Sequence, residues 1–189
     1  MRLRPEEHDL APQLADDASP SRGGALVDHP TGVSVAEVWR ALRQQSFAVV
    51  AYATPEGEPR SSGVVYGVHD GHLYVAVAPD SWKARHIATS RRVAVTVPVR
   101  RGGLLSFLFP IPPATISFHG SAAVLPPDSD RARAALSGLH SLLPPERRTT
   151  AVLLEMTPED VFVTYGVGVT LSQMRHPQLA RARIPVSRG

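Results

Sequence analysis

The sequence predicts a mainly β domain of the α+β class: an antiparallel barrel carrying accessory helices. Short segments dense in apolar, β-branched and aromatic residues recur between turn signals. The turns joining the first of them are too short for a crossover helix, and no strand–helix–strand series follows. No GxGxxG, GxxxxGK, HExxH or GxSxG motif points to another architecture.

Composition bounds the rest. The 189 residues suffice for one well-packed domain. Apolar residues make up 43% and charged residues 20%, ordinary values for a globular chain. Cysteine is absent, which excludes disulfides, thiolate metal sites and cysteine nucleophiles, and fits a reducing cytoplasm. The net charge of +3 is unevenly placed: residues 1–30 hold six acids against three arginines, and the remainder is basic. Such an excess suits an anionic small molecule. Nucleic acid calls for a denser basic stripe with interleaved aromatics, and aromatics are only 6% of this chain, so no nucleic-acid partner is expected. The start MRLRPEEHDLAPQL has acids where a signal peptide has its apolar core. No apolar run reaches the length of a membrane span, and a cytoplasmic protein is expected.

Residues 1–32 mix Pro, Asp, Arg, Gly and Ser without periodicity and read as a flexible arm. The barrel domain is expected over 33–168. Its first helix opens at Ser34, an N-cap with Glu37 three residues on, and places Val35, Val38, Trp39 and Leu42 at helical spacing. Strands follow at 47–54, 60–68 and 72–78, separated by Pro55–Glu58 and by the hairpin pair Asp70-Gly71. Pro79, Asp80 and Ser81 end the sheet and open a helix over 82–90. A strand over 93–99 follows, in which Pro98 implies an edge or an end. The apolar, proline-rich stretch 102–114 reads as a loop at a subunit interface or over the barrel mouth, or else as a substrate lid or membrane contact. A long strand over 115–125 contains Gly120, a bulge or close-approach signal. A helix from Ser129 and two strands, 150–156 and 161–167, complete the domain. The tail 169–189 reads as a helical cap interrupted at Pro177.

The chemistry concentrates on the helix after Ser81. A helix N-terminus favours anions, yet this one carries Lys83, Arg85 and His86, and no acid occurs between Ser81 and Arg101. A bound phosphate would resolve the conflict by accepting from the free amides and Ser81 and by pairing with Lys83. The alternative is that Lys83 and Arg85 simply point to water. Lys83 is also the only lysine of the chain, which hints at a requirement for a compact ammonium. In the second strand, alternation puts Arg60, Ser62, Val64 and Tyr66 on one face and Ser61 and Val65 on the other. His69 and His72 flank a turn without an evident third ligand, so no metal site is expected.

Four stretches, FAVVAYATPEGEPRSSGVVYGVHDGHLYVAVAPDSWKARHI, RRVAVTVPV, ATISFHGSAAVL and VFVTYGVG, resemble the pyridoxamine 5′-phosphate oxidase-like FMN-binding split barrels. The resemblance implies a six-stranded antiparallel split β-barrel and a homodimer with cofactor sites at the subunit interface. It implies an oxidoreductase using FMN, or alternatively the deazaflavin coenzyme F-420, on a small-molecule substrate. A non-catalytic flavin or haem binder of the same fold is the competing implication. Carried over by position, Arg60, Ser61 and Ser62 would line the cofactor, and Val77 and Ala78 would lie beneath its ring. Ser81 and Lys83 would hold the phosphate, with Arg85 or His86 nearby. The sequence departs from the true vitamin B6 oxidases, whose Arg-x-Val-Leu-Leu-Lys stretch is replaced here by Arg60-Ser-Ser-Gly-Val-Val. Ala78 stands where many relatives have threonine. Pyridoxamine phosphate oxidation itself is therefore not the expected activity.

Overall fold

The computed structural model describes residues 32–100, 113–139 and 151–186. The N-terminal arm, nearly all of the 102–114 stretch and the end of the helix from Ser129 lie outside them.

Helix α1 (Val35–Arg43) begins as its sequence dictates. The Ser34 hydroxyl accepts from the Glu37 amide at 3.3 Å, and the Glu37 carboxylate accepts from the Ser34 amide at 2.8 Å. This reciprocal box satisfies two amides that no helical carbonyl can reach. Val38 and Leu42 are buried, and Trp39 meets Phe162 edge-on at 5.3 Å.

The strands are β1 (Phe47–Ala53), β2 (Pro59–Val65), β3 (Gly67–His69), β4 (His72–Val77), β5 (Arg92–Val99), β6 (Ala114–Leu125), β7 (Val152–Pro158), β8 (Val161–Tyr165) and β9 (Arg181–Pro185). Helix α2 (Trp82–Ser90) separates β4 from β5, and α3 (Asp130–Leu139) follows β6. The strand order is β2-β1-β5-β6-β7-β4-β3, with β8 on β6 and β9 on β8. Every pairing is antiparallel.

Two features curl this sheet. Its opposite edges, β2 and β3, are halves of one stretch broken only at Tyr66, so the chain itself ties the edges together. The twelve-residue β6 serves β5 along one side and divides its other side: Gly120–Leu125 pair with β7 and Thr115–Ser117 with β8. The division falls at Gly120, where an added Cβ would collide with the Thr157 carbonyl oxygen. The close approach expected at this glycine is present. The result is a mainly antiparallel split barrel, filled by residues such as Val50, Tyr66, Leu73, Val95, Ile116, Met156 and Phe162.

Several expectations need correction. The split barrel is as expected, but among the described residues it has nine strands where six were expected. The stretch read as one strand over 60–68 breaks because the Tyr66 amide donates to the Ser46 carbonyl and its phenol donates to the Leu42 carbonyl at 2.7 Å. That phenol is wholly buried, and burial pushes its pKa far above the usual tyrosine range. The tail is not simply a helical cap. A 3₁₀ turn (Gln173–Arg175) precedes the four-residue α4 (Pro177–Ala180), where Pro177 starts a helix rather than interrupting one. The following Arg-Ala-Arg-Ile-Pro then alternates exposed and buried as β9. Pro98 lies in a strand with neighbours on both sides, but β1 reaches only Ala94–Thr96, so Pro98 has no β1 partner to disappoint. The hairpin at Asp70-Gly71 forms as expected, with φ of 46° and 71°.

Candidate functional site

Helix α2 is fastened to the end of β4 by the Ser81 amide, which donates to the Ala78 carbonyl at 3.1 Å. Ser81 caps the helix, its hydroxyl oxygen accepting from the Ala84 amide at 3.2 Å. The first turn contains no acid. Lys83 is half-buried there, and among the described residues no carboxylate pairs with it. Desolvation pulls its ammonium pKa below the usual lysine range. A cation withdrawn from water without a counter-ion is costly, and the cost disappears when an anion joins it.

Other polar atoms close by are also incomplete. Ser62 Oγ on β2 and His86 Nδ1 and Ser90 Oγ on α2 are buried without a hydrogen-bond partner. Lys83, His86 and Ser90 follow one another at helical spacing along one stripe of α2. A fourth such atom, Thr164 Oγ1, lies on β8; native proteins rarely leave these groups unsatisfied, and the two on α2 are where a ligand beside Lys83 would add a partner.

Beside this stripe opens a cleft of about 610 Å³, lined among others by Tyr52, Arg60, Trp82, Arg85 and His86. Its aromatic wall is continuous: His86 lies 6.0 Å from Tyr52 and 5.7 Å from Trp82 between ring centroids. The Arg85 guanidinium covers the Trp82 ring at 4.2 Å. The turn between β1 and β2 adds acids. Hydrogen bonds from the Thr54 side chain and from its own backbone hold the Glu56 carboxyl below its usual range. Glu58 pairs with Arg60 at 2.9 Å. Aromatic faces beside cations suit a flat anionic molecule of cofactor size.

The sequence-derived residues divide between two faces. Arg60, Arg85 and His86 line this one cleft. Ser62 shares the inward face of β2 with buried Val64, as the alternation predicts. Ser61 is exposed opposite Ala51, on the outer face with Phe47 and Val65. Val77 and Ala78 end β4, and the Ala78 backbone, not its side chain, makes the contact to α2. Ser81 and Lys83 stand at the helix start but do not line the cleft. Sequence reasoning missed Tyr52, Thr54, Glu56 and Trp82. The register Tyr52↔Arg60 and the helical spacing of Trp82, Arg85, His86 and Thr89 carry the signal for Tyr52 and Trp82.

Two further histidines among the described residues are engaged away from this cleft. His72 Nδ1 meets Thr157 Oγ1 at 2.9 Å, and His119 Nε2 meets Asp160 at 3.0 Å. His119 is exposed, and its contact is this hydrogen bond. Among the described residues no group of three metal-ligating side chains occurs, and no helix is long and apolar enough to cross a membrane.

Solved structures repeat this strand arrangement at low identity. A haem-binding protein from Mycobacterium smegmatis is 19% identical with a TM-score of 0.58 over 71% of this chain, and the chain spans only 55% of that protein. An FAD-binding protein from Mesorhizobium loti is 22% identical, TM-score 0.55, over 69% of this chain and 93% of its own. A haem storage protein from Vibrio cholerae is 13% identical, TM-score 0.58, over 71% and 96%. These likenesses are likenesses of fold. No curated protein matches the sequence. A family model described as pyridoxamine 5′-phosphate oxidase matches residues 35–165, from the first turn of α1 to the end of β8. That span holds the whole curled sheet except β9, and with it the α2 stripe and the cleft: the chain belongs to the pyridoxamine 5′-phosphate oxidase family.

Proposed function

We propose that the chain binds FMN and acts as a flavin-dependent oxidoreductase on a small organic molecule. One observation carries the reading: Lys83 is half-buried at a helix N-terminus with no carboxylate partner among the described residues, which is the environment a phosphate completes. Ser81 and Lys83 would hold that phosphate, with Arg85 and His86 beside it. Arg60, Ser61 and Ser62 on β2, and Val77 and Ala78 at the end of β4, would border the ring. Bound flavin would supply the redox chemistry, and the protein's share would be orientation and a shielded cleft. The deazaflavin coenzyme satisfies the same phosphate argument and is the alternative cofactor.

The partner in this reading is a second copy of the chain. The outer face of the first hairpin exposes Phe47, Val49 and Val65, and the register Phe47↔Val65 and Val49↔Gly63 puts them side by side. The Phe47 ring lies over Gly63, so close that a Cβ there would stand 2.8 Å from it. An uncharged face of this kind, which also carries Ser61, fits a homodimer whose interface borders the cofactor. The cysteine-free composition supports a cytoplasmic location.

A second reading, a non-catalytic flavin or haem binder, is favoured by Ala78, which offers no hydroxyl to a cofactor. The visible absorbance spectrum of the purified protein, with mass spectrometry of whatever denaturation releases, separates them. A flavin spectrum and reduction by an added hydride donor support the oxidoreductase. A haem Soret band, or a colourless protein that takes up no added FMN, contradicts it.

A further inference from the structure

A second cavity, of about 500 Å³, lies against the β6–β7 part of the sheet beside the end of α2. It shares no lining residue with the cleft described above. Its lining combines small side chains, Ala88, Ala122 and Ala123, which leave room, with Arg91, Ser121, Glu155 and Thr157, which supply polarity.

Glu155 is the unusual member. It is only 6% exposed and sits between Tyr74 of β4 and Ala123 of β6 in register. Its Oε2 meets two partners: the Tyr74 hydroxyl donates at 2.7 Å, and the Arg131 guanidinium approaches to 3.4 Å. Arg131, itself mostly exposed, is an ion-pair partner from the solvent side and leaves the second carboxylate oxygen unengaged. Among the described residues nothing pairs with Oε1, and that oxygen is not among the buried unpartnered atoms, which leaves it open to a ligand or to water.

Arg91 supplies the opposite charge. It ends α2 with φ of 51°, a left-handed conformation that a non-glycine residue adopts at a cost. Its carbonyl accepts from the Ala122 amide at 2.9 Å, which fixes the helix end against β6. Glycine is the usual residue at such a helix end. The arginine there shares the wall of one cavity with a buried carboxylate, which sets opposite charges around the same space.

We propose that this cavity binds a small zwitterion of the amino-acid class, its ammonium group on Glu155 and its carboxylate on Arg91, with the Ser121 and Thr157 hydroxyls between them. The volume lies within the range of small-molecule sites.

The test is an amide chemical-shift titration of the full chain with each of the twenty common amino acids. At least one is expected to saturate below about 10 mM, a weak-ligand affinity, while moving Ser121, Ala122, Glu155 and Thr157. N-acetylation of that ligand and Glu155→Gln should each weaken it by about tenfold or more. Arg91→Gly should weaken it similarly while leaving the fold as stable as before or more so, because glycine relieves the left-handed backbone. The corresponding amine without a carboxylate should bind wild type and Arg91→Gly equally. No saturation by any amino acid, equal binding of the N-acetyl compound, or unchanged affinity in both variants would overturn the proposal. None of these outcomes depends on FMN.

Discussion

The Arg85 guanidinium lies over the ring of Trp82, 4.2 Å from its centroid, three residues along the same face of α2. Trp82 is 70% exposed, an unusual position for the largest apolar side chain, and the pair forms the rim of the α2 cleft. The stack holds a cation ready without burying it. FMN should therefore quench the emission of Trp82, and a Trp82→Phe variant, which keeps only the more buried Trp39, should lose most of that quenching. Arg85→Ala should weaken FMN binding by about 1.5 kcal/mol, roughly tenfold, in a fluorescence titration.

Gly120 makes a prediction about the fold rather than the site. Its missing side chain lets β6 approach the Thr157 carbonyl where the sheet divides between β7 and β8. Gly120→Ala requires backbone to move and should destabilise by about 3 kcal/mol or more, read from the urea midpoint. Gly57→Ala tests a different cause. That glycine faces open space but has φ of 88°, so about 1 kcal/mol of backbone strain is expected.

The Tyr66 phenol ties the barrel to the end of α1 through the Leu42 carbonyl. Tyr66→Phe keeps the ring and removes the donor, and should cost about 1 kcal/mol. Tyr66→Ala also empties the space at the break between β2 and β3, and about 3–5 kcal/mol is expected. Equal losses in the two variants would mean that the hydroxyl, not the ring, dominates.

The capping box supplies a pH dependence with a definite sign. Hydrogen bonds from the Ser34 backbone and hydroxyl hold the Glu37 carboxyl below its ordinary value. A carboxyl with a depressed folded-state pKa stabilises above its unfolded value and loses that contribution as pH falls through the folded one. The stability gap between wild type and Glu37→Gln should therefore be present at neutral pH and close below about pH 4.

The residues that announced themselves in the sequence did so through local physics. Ser34 with Glu37, Asp70-Gly71 and the segment from Ser81 to Ser90 each act within a few residues, and each formed where expected. Tyr66 was legible as strand but not as a break, because its hydroxyl partner lies on α1, 24 residues away. The tail misled because Pro177 reads as a helix breaker in isolation, while pairing with β8 extends the residues after it into β9. At the site, Lys83 stood out by charge at the wrong end of a helix. Tyr52 did not, since it joins the cleft only through its pairing with Arg60. Glu155 was silent because its burial is set by β4, β6 and α3 together.

Lys83 being the only lysine, nitrogen-15 labelling of lysine side chains gives one ammonium resonance to follow. Desolvation lowers its pKa in the free protein, so its charged form costs stability below the folded pKa, and the cost fades as pH rises past the unfolded value. A phosphate beside it must reverse the shift. Lys83 should titrate below free lysine without ligand, and its pKa should rise when FMN binds. Binding of FMN that leaves the Lys83 titration unmoved would contradict the phosphate site.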